Sequence, residues 1–380
     1  MSTFHPDREV VIAMHETEGI THDKIDRLFT EGAIDGARSR RPADWRDLGL
    51  RAKEAKALAD RLRPEAIEAA IRRREKAGIS IVTALDTGYP MQLRHTHRFP
   101  WVLYYIGNLA LARKSSVAIV GTRSATSYGR RVAEELAFAC SKAGLVVVSG
   151  MAKGIDACAH AGALQGPAGT VAVLGGPVDS PYPRENAGLY RQIAESGLVL
   201  SEIPPDMPVY PYYFPLRNRI IAGISLGVVV VEAGEKSGAL HTAAYANDAS
   251  RDVFVVPGPI TSPRSKGGLK LLRESWAKPV IEAKDILEEY KRQLGEGSKH
   301  RTKRDKAGAG QAGDAAEQAE RAELPPEEAV LYDLLLDGPK SIDELLAASA
   351  LGAGRLHQLL LSLQLKQKIE SRPGSVFAAI

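Results

Sequence analysis

Cysteine is almost absent from this sequence. Cys140 and Cys158 are the only two in 380 residues, too few for a disulfide framework and without the spacing of a metal site. Both sit among alanines and other apolar residues and read as ordinary buried thiols, which fits a reducing, cytoplasmic setting. Long apolar runs are missing too, since no stretch approaches the roughly 20 residues a membrane helix needs. The first residues, MSTFHPDREVVIAMHETEG, lack a basic segment followed by an apolar one, so no signal peptide is expected. No H-E-x-x-H, Cys/His cluster or EF-hand loop occurs, and no Ser-His-Asp set is legible.

A strong excess of one charge is lacking as well. The net charge is +4, and the octad Lys299–Lys306 (KHRTKRDK) carries all of it, leaving the remainder of the chain neutral in sum. The argument that a basic protein must bind nucleic acid therefore fails, and any anion site has to come from local clustering.

What is present divides the chain into four parts. Residues 1–76 are rich in Ala, Leu, Arg and Glu, with apolar residues such as Ile25, Leu28 and Phe29 at helical spacing and Pro64 at a favoured helix start. They predict four or five short helices. Residues 77–290 alternate short β-branched runs with glycine-rich turns and helical stretches. The predicted strands are Val117–Val120, Leu145–Ser149, Thr170–Leu174, Leu198–Ser201, Leu226–Val231 and Asp252–Val256, with helices at Tyr128–Lys142, Asp156–Leu164, Gly188–Ser196 and Gly238–Ala249. Continuous apolar strands joined by helices predict an α/β domain with a doubly wound parallel sheet. Residues 291–324 contain almost no large apolar side chains and predict a disordered linker. Residues 325–380 regain apolar periodicity as three helices (Glu327–Leu336, Ile342–Ala348, Gly354–Gln364) and a short hairpin turning at Pro373-Gly374, the pattern of a winged helix.

In doubly wound folds ligands lie beyond the carboxyl ends of the strands, and five glycine-rich turns are predicted at that edge. The first, in VAIVGTRSATSYG (Val117–Gly129), turns at Gly121 and sets Thr122, Arg123 and Ser127 before a helix. Small residues let backbone N–H groups face an anion, and an arginine can grip phosphate in two places. This turn carries neither the dinucleotide fingerprint nor a P-loop, and the same residues would also suit an ordinary strand-to-helix turn. The second, SGMAKGID (Ser149–Asp156), offers Gly150 and Lys153, with Asp156 read as a loop organiser and His160 as a packed histidine. The third is LGGPVD (Leu174–Asp179), the fourth VEAGEKSGALHT (Val231–Thr242) and the fifth VPGP (Val256–Pro259).

The most informative stretch is PVYPYYFPLRNR, Pro208–Arg219. Four of the chain's 22 aromatics lie between Tyr210 and Phe214, and Arg217, Asn218 and Arg219 follow at once. Aromatic faces stack nucleic-acid bases while guanidinium groups take phosphates. The prolines suggest that the aromatics are held extended. A structural loop packing its rings on the sheet is the other reading.

These motifs together resemble the DNA processing protein A (DprA, also called Smf) family. The resemblance rests on Gly88-Tyr89-Pro90, VAIVGTR, SGMAKGID, TVAVLGG, Ser201-Glu202, FPLRNRIIAG, VVVVEA with SGAL, and VFVVPG, across roughly residues 80–280. It implies an extended Rossmann-like fold that binds single-stranded DNA, protects it, delivers it to the recombinase RecA during natural transformation, and dimerises through this domain. It implies DNA contact by Arg123, Arg217, Arg219 and Phe214, with Lys153 a further candidate. With Gly121, Thr122, Ser127, Gly150 and Asn218 these form the candidate DNA-binding set, and no catalytic residue, metal or cofactor is expected. One departure is Ser275-Trp276, where the family usually has Gly-Ala. The helical start, around Gly19 and Gly49, resembles a sterile-alpha-motif or helix-hairpin-helix domain. The helix Arg355–Lys366 would be the recognition helix of the winged domain, although the net charge of −2 over 325–380 favours a protein-interaction or regulatory role. The alternative from another class is a phosphoribohydrolase-type nucleotide hydrolase. The chain lacks that group's motif glutamate, and only Glu202 or Glu232 could substitute.

Overall fold

The computed structural model describes residues 7–205, 207–294, 325–336, 340–349, 351–366, 368–372 and 376–379. The described residues up to 294 belong to one compact unit and those from 325 onward to a second.

The first unit begins with five helices, α1 (Arg8–His15), α2 (His22–Thr30), α3 (Pro42–Asp47), α4 (Ala52–Arg61) and α5 (Pro64–Lys76). Prolines open α3 and α5 at the first helical position, where a missing N–H costs nothing. Two strands follow, β1 (Ser80–Thr83) and β2 (Val102–Gly107), with the single turn α6 (Met91–Arg94) between them. The helices share one apolar core with these strands: Met14, Leu28, Trp45 and Leu58 are buried together with Leu103 and Tyr104. Polar bonds reinforce the joint. Arg8 donates to Asp86 and to the Ile81 carbonyl, and Trp101 donates to Asp26 at 2.6 Å.

The α/β part continues β3 (Ser116–Val120), α7 (Ser127–Lys142), β4 (Val146–Ser149), α8 (Ile155–Leu164), β5 (Thr170–Val173), α9 (Ala187–Ser196), β6 (Leu198–Ser201), α10 (Tyr213–Ile224), β7 (Gly227–Val230), α11 (Gly238–Asp248), β8 (Asp252–Val255), α12 (Lys266–Arg273), β9 (Lys278–Pro279) and α13 (Ala283–Glu289). The nine strands form one sheet in the order β1-β2-β6-β5-β4-β3-β7-β8-β9. Strands β3 to β8 pair in parallel, and β2 joins β6 antiparallel, with β1 outside it. The chain runs outward from β3 to β6 and then returns to place β7 beside β3, so the order reverses between β3 and β7. Helices α7, α8 and α13 cover one face and α10, α11 and α12 the other, which is why the central strands read as unbroken valine runs.

All six strands expected from the apolar runs are present within a residue or two. The antiparallel pair β1 and β2 was not anticipated. The linker expected at 291–324 falls outside the described residues except for 291–294, which are helical. The PVYPYYFPLRNR stretch differs from expectation. It is not extended: Tyr213 N–H donates to the Tyr210 carbonyl, and α10 starts at Tyr213, so Phe214 and Arg217–Arg219 are helical. Pro215 is tolerated because it lies in the first turn.

The second unit has α14 (Pro326–Leu336), β10 (Lys340–Ser341), α15 (Ile342–Ser349), α16 (Ala353–Leu365), β11 (Ile369–Arg372) and β12 (Val376–Ala379). The three strands pair in the order β10-β12-β11 beside a core of Leu331, Leu335, Leu345, Leu356, Leu360 and Leu363. This is a winged helix. The turn expected at Pro373-Gly374 lies outside the described residues.

Candidate nucleic-acid interface

The order reversal between β3 and β7 leaves a crevice beyond their carboxyl ends, the standard ligand position of this architecture. A cleft of about 940 Å³ occupies it. One wall is the loop after β3 (Gly121, Thr122, Arg123), another the start of α11 (Lys236, Ser237, His241), and the floor is α10 (Phe214, Arg217, Asn218). Pro263 and Arg264, from the segment after β8, close the far side.

The glycines at the turns of the first two loops are closely packed. A Cβ on Gly121 would lie 2.6 Å from Ile155 and 2.9 Å from the Glu232 carbonyl oxygen. Several of the loops' N–H groups are spent. Thr122 donates to the Glu232 carbonyl at 2.7 Å, and Gly150 and Ala152 donate to the Asp156 carboxylate. The Thr122, Gly150 and Ala152 N–H groups thus hold the two loops in place rather than facing the cleft. Asp156 is the loop organiser expected of it. Glu232 braces the first loop in the same way, accepting from Thr126 N–H at 2.9 Å and from its hydroxyl at 2.6 Å. Thr126 in turn caps α7 by accepting from Gly129 N–H.

Arg217 is buried beneath the cleft. Its Nη1 donates to the carbonyl oxygens of Gly150, at 2.7 Å, and Val173. Burial lowers its pKa to about 10, and the charge of Asp156 opposes that fall. Burial pushes the Asp156 carboxyl up, and Arg217 draws it back down. Asn218 donates to the Gly238 carbonyl at 3.3 Å and so ties α10 to the head of α11. Deeper still, His160 is fully enclosed. The Thr170 hydroxyl donates to the Val147 carbonyl, so the His160 Nδ1–H donates to Thr170, 2.7 Å away. Burial, then the charge of Arg217, lowers the His160 pKa to about 3, and it is the packed neutral histidine expected.

The exposed cleft charges are cationic. Arg123 makes no ion pair among the described residues, and its guanidinium lies 5.9 Å from the centre of the Phe214 ring. The Tyr182 ring stands 5.4 Å from Phe214 on the cleft wall. Lys236 and Arg264 are exposed, and Arg264 donates to the Ser124 carbonyl at 2.7 Å. Among the described residues, the only carboxylate lining the cleft is Asp156, already facing Arg217. Residues 115–290, with 17 basic and 17 acidic residues, thus carry a positive pocket with an aromatic floor, suited to a phosphodiester with a base stacked beside it.

Six of the ten candidate residues line this cleft: Gly121, Thr122, Arg123, Phe214, Arg217 and Asn218. Gly150 lies under Arg217. The other three lie outside the lining. Ser127 is exposed at the first turn of α7, and Lys153 pairs with Glu185 at 2.5 Å. Arg219 is held by both oxygens of Glu202, at 2.6 and 2.5 Å. Lys236, His241 and Arg264 were missed. Lys236 and His241 lie in the fourth glycine-rich turn, and nothing local marks Arg264, which only the sheet order brings opposite Ser124.

Residues 80–291 match the family described as DNA recombination-mediator protein A, more than half of the chain. The chain belongs to that family. Residues 315–375 match the DprA winged helix domain. The chain is 40% identical over 213 residues to the DNA processing protein DprA of Bacillus subtilis, spanning 56% of this chain and 71% of that protein. It is 34% identical over 312 residues to Protein Smf of Synechocystis, spanning 77% and 78%. Among solved structures, DNA processing protein A of Streptococcus pneumoniae has a TM-score of 0.65 at 35% identity, covering 75% of this chain and 98% of that one. The Helicobacter pylori DNA processing protein A, described for its single-stranded DNA binding mode, has a TM-score of 0.52 at 29% identity, covering 56% and 96%. At the expected departure, Ser275 occupies the left-handed region with φ 57°, where glycine would carry no Cβ penalty.

No helix among the described residues is long and apolar enough to cross a membrane. No group of three or more His, Cys, Asp or Glu among them could hold a metal.

Proposed function

We propose that this protein is a single-stranded DNA-binding recombination mediator, which protects incoming DNA and loads RecA onto it during natural transformation in the cytoplasm. The observation that carries the reading is the free Arg123 guanidinium set against Phe214 over a cleft whose other exposed cations are Lys236 and Arg264. Family membership supports it, as does the DNA-binding relative from Helicobacter pylori. Within the candidate set, Arg123 is the phosphate ligand and Phe214 the stacking face. Gly121, Thr122, Gly150, Arg217 and Asn218 build the cleft, and Ser127, Lys153 and Arg219 contribute from its surroundings. The function needs no catalytic residue or cofactor, and a homodimer through the α/β part is the proposed working form.

We divide the labour along the chain as 1–76, 77–290, 291–324 and 325–380, with DNA held by the second part. The winged helix suits protein contact or regulation. In its recognition helix, Arg355 pairs with Glu327 and Lys366 with Glu328, each at 2.6 Å. The hydrolase alternative has less support. Glu232 is committed to Thr126 and Glu202 to Arg219, so neither stands free to act near a ribose.

The test is anisotropy titration of single- and double-stranded oligonucleotides across salt concentrations, with RecA filament assembly followed in parallel. A preference for single strands with a shallow salt slope is expected, because few phosphates meet cations. Equal affinity for duplex, or release of free base from nucleoside monophosphates, would overturn the reading.

A further inference from the structure

Three tyrosines at the lip of the cleft have no part in the site described so far. Tyr210 and Tyr212 lie nearly parallel, with ring centroids 5.6 Å apart and planes 14° from each other. Tyr213 packs against both, 5.6 Å from Tyr210 and 4.5 Å from Tyr212. The backbone fixes the group, since the Tyr213 N–H bond to the Tyr210 carbonyl closes a turn over Pro211. Despite this mutual packing, Tyr212 is 62% exposed and Tyr210 42% exposed. Other packed rings among the described residues are less open than Tyr212: Tyr182, against Phe214, is 52% exposed and Phe29, against Trp101, 40%.

We propose that Tyr212, backed by Tyr210, is a second stacking platform, which receives an unpaired base as the strand leaves the cleft. The inference rests on the single-stranded DNA reading above. Three observations choose this occupant. The platform is continuous with the cleft, because Pro211 and Phe214, which flank Tyr212 and Tyr213, line it. The cleft volume of about 940 Å³ is that of a small-ligand pocket, whereas proteins that track a single strand hold several nucleotides, so a bound strand runs beyond the cleft and the lip adjoins it. Finally, no charged residue occurs from Met207 to Leu216, so no carboxylate there repels the phosphates between the two stacked bases. The aromatic order along the strand is then Phe214 inside and Tyr212 outside.

The test compares full-length wild type with Tyr212→Ala, Tyr212→Phe and Tyr210→Ala on a long single strand, on the same strand with scattered abasic sites, and on a dinucleotide. Loss of one stacked base predicts about a 5-fold or greater weakening for Tyr212→Ala on the long strand, near wild-type affinity for Tyr212→Phe, and no difference on the dinucleotide. The gap between wild type and Tyr212→Ala should shrink on the abasic strand. A strand carrying bromodeoxyuridine should photo-crosslink to Tyr212. If Arg123→Ala weakens binding while Tyr212→Ala binds every strand as wild type does, the platform is wrong and the cleft reading stands. If wild type binds no single strand, both fail. If Tyr212→Ala changes only self-association or RecA capture, the lip is a protein surface and the proposal is overturned.

Discussion

The guanidinium of Arg217 donates to the backbone carbonyl of Gly150 at 2.7 Å, and Gly150 has no space for any side chain, because a Cβ there would lie 2.5 Å from an Arg217 nitrogen. The glycine and the arginine are a matched pair that joins β4 to α10. Truncating Arg217 strands the buried Asp156 without its counter-charge, a situation that costs about 3–5 kcal/mol. Arg217→Ala should therefore lower the urea midpoint strongly, and Gly150→Ala should lower it too by displacing the guanidinium. Wild-type stability combined with weaker DNA binding in Arg217→Ala would show instead that this arginine works mainly as a ligand.

Arg123 should behave in the opposite manner. It is exposed and rests on Phe214 without an ion pair among the described residues. Losing a charge-assisted phosphate contact of ~1.5–3 kcal/mol corresponds to roughly 10- to 100-fold in affinity. Arg123→Ala should show that loss in an anisotropy titration, with a salt slope shallower by about 0.7 and an unchanged melting temperature. Unaltered affinity at matched salt would remove Arg123 from the interface.

Glu232 holds the Arg123 loop from behind through two bonds to Thr126. Glu232→Ala leaves the Thr126 N–H without its acceptor, a cost of about 1–3 kcal/mol. Stability and DNA affinity should fall together, although Glu232 itself is not in the cleft lining. Affinity retained in the face of lower stability would mean that the loop does not need this brace.

The buried His160 makes stability depend on acidity. Its pKa is lowered to about 3, first by burial and then by the charge of Arg217, while an unfolded histidine titrates near 6.5. The unfolded chain therefore binds the extra proton between those values. The contribution is fully present above about pH 6.5 and is lost as the pH falls toward 3. From pH 7 to pH 5 the loss amounts to about 2 kcal/mol. Asp156, whose carboxyl is pushed up by burial, acts in the opposite sense. Urea titrations at pH 7 and pH 5 should show a smaller drop in His160→Gln than in wild type. Equal drops would mean that another group carries the dependence.

Much of the α/β unit was legible in the chain. Unbroken runs such as Val146–Val148 and Val228–Val231 read as strands covered on both faces, because only a parallel sheet between helix layers buries every side chain. Strands β1 and β2 were not legible as such: they lie among mixed polar and aromatic residues, and their pairing partners are set by the helical start and by β6. Five glycine turns after strands pointed to one sheet edge, and the loops after β3, β4, β7 and β8 do contribute to the cleft.

The sequence by itself determined the family, the layered architecture, and the sheet edge at which the cleft and the RNR segment lie. Tertiary structure decided which arginines remain available. Arg217 and Arg219 differ by two positions, and on a helix such residues face apart. One is driven under the sheet edge toward Asp156 and two carbonyls, the other toward Glu202. Tertiary structure also turned the loop N–H groups inward, and it brought Lys236 and Arg264 from distant segments to Arg123. Composition records how many charges a chain has. Whether a charge is spent depends on its partners, and partners far apart in sequence meet only when the sheet is assembled.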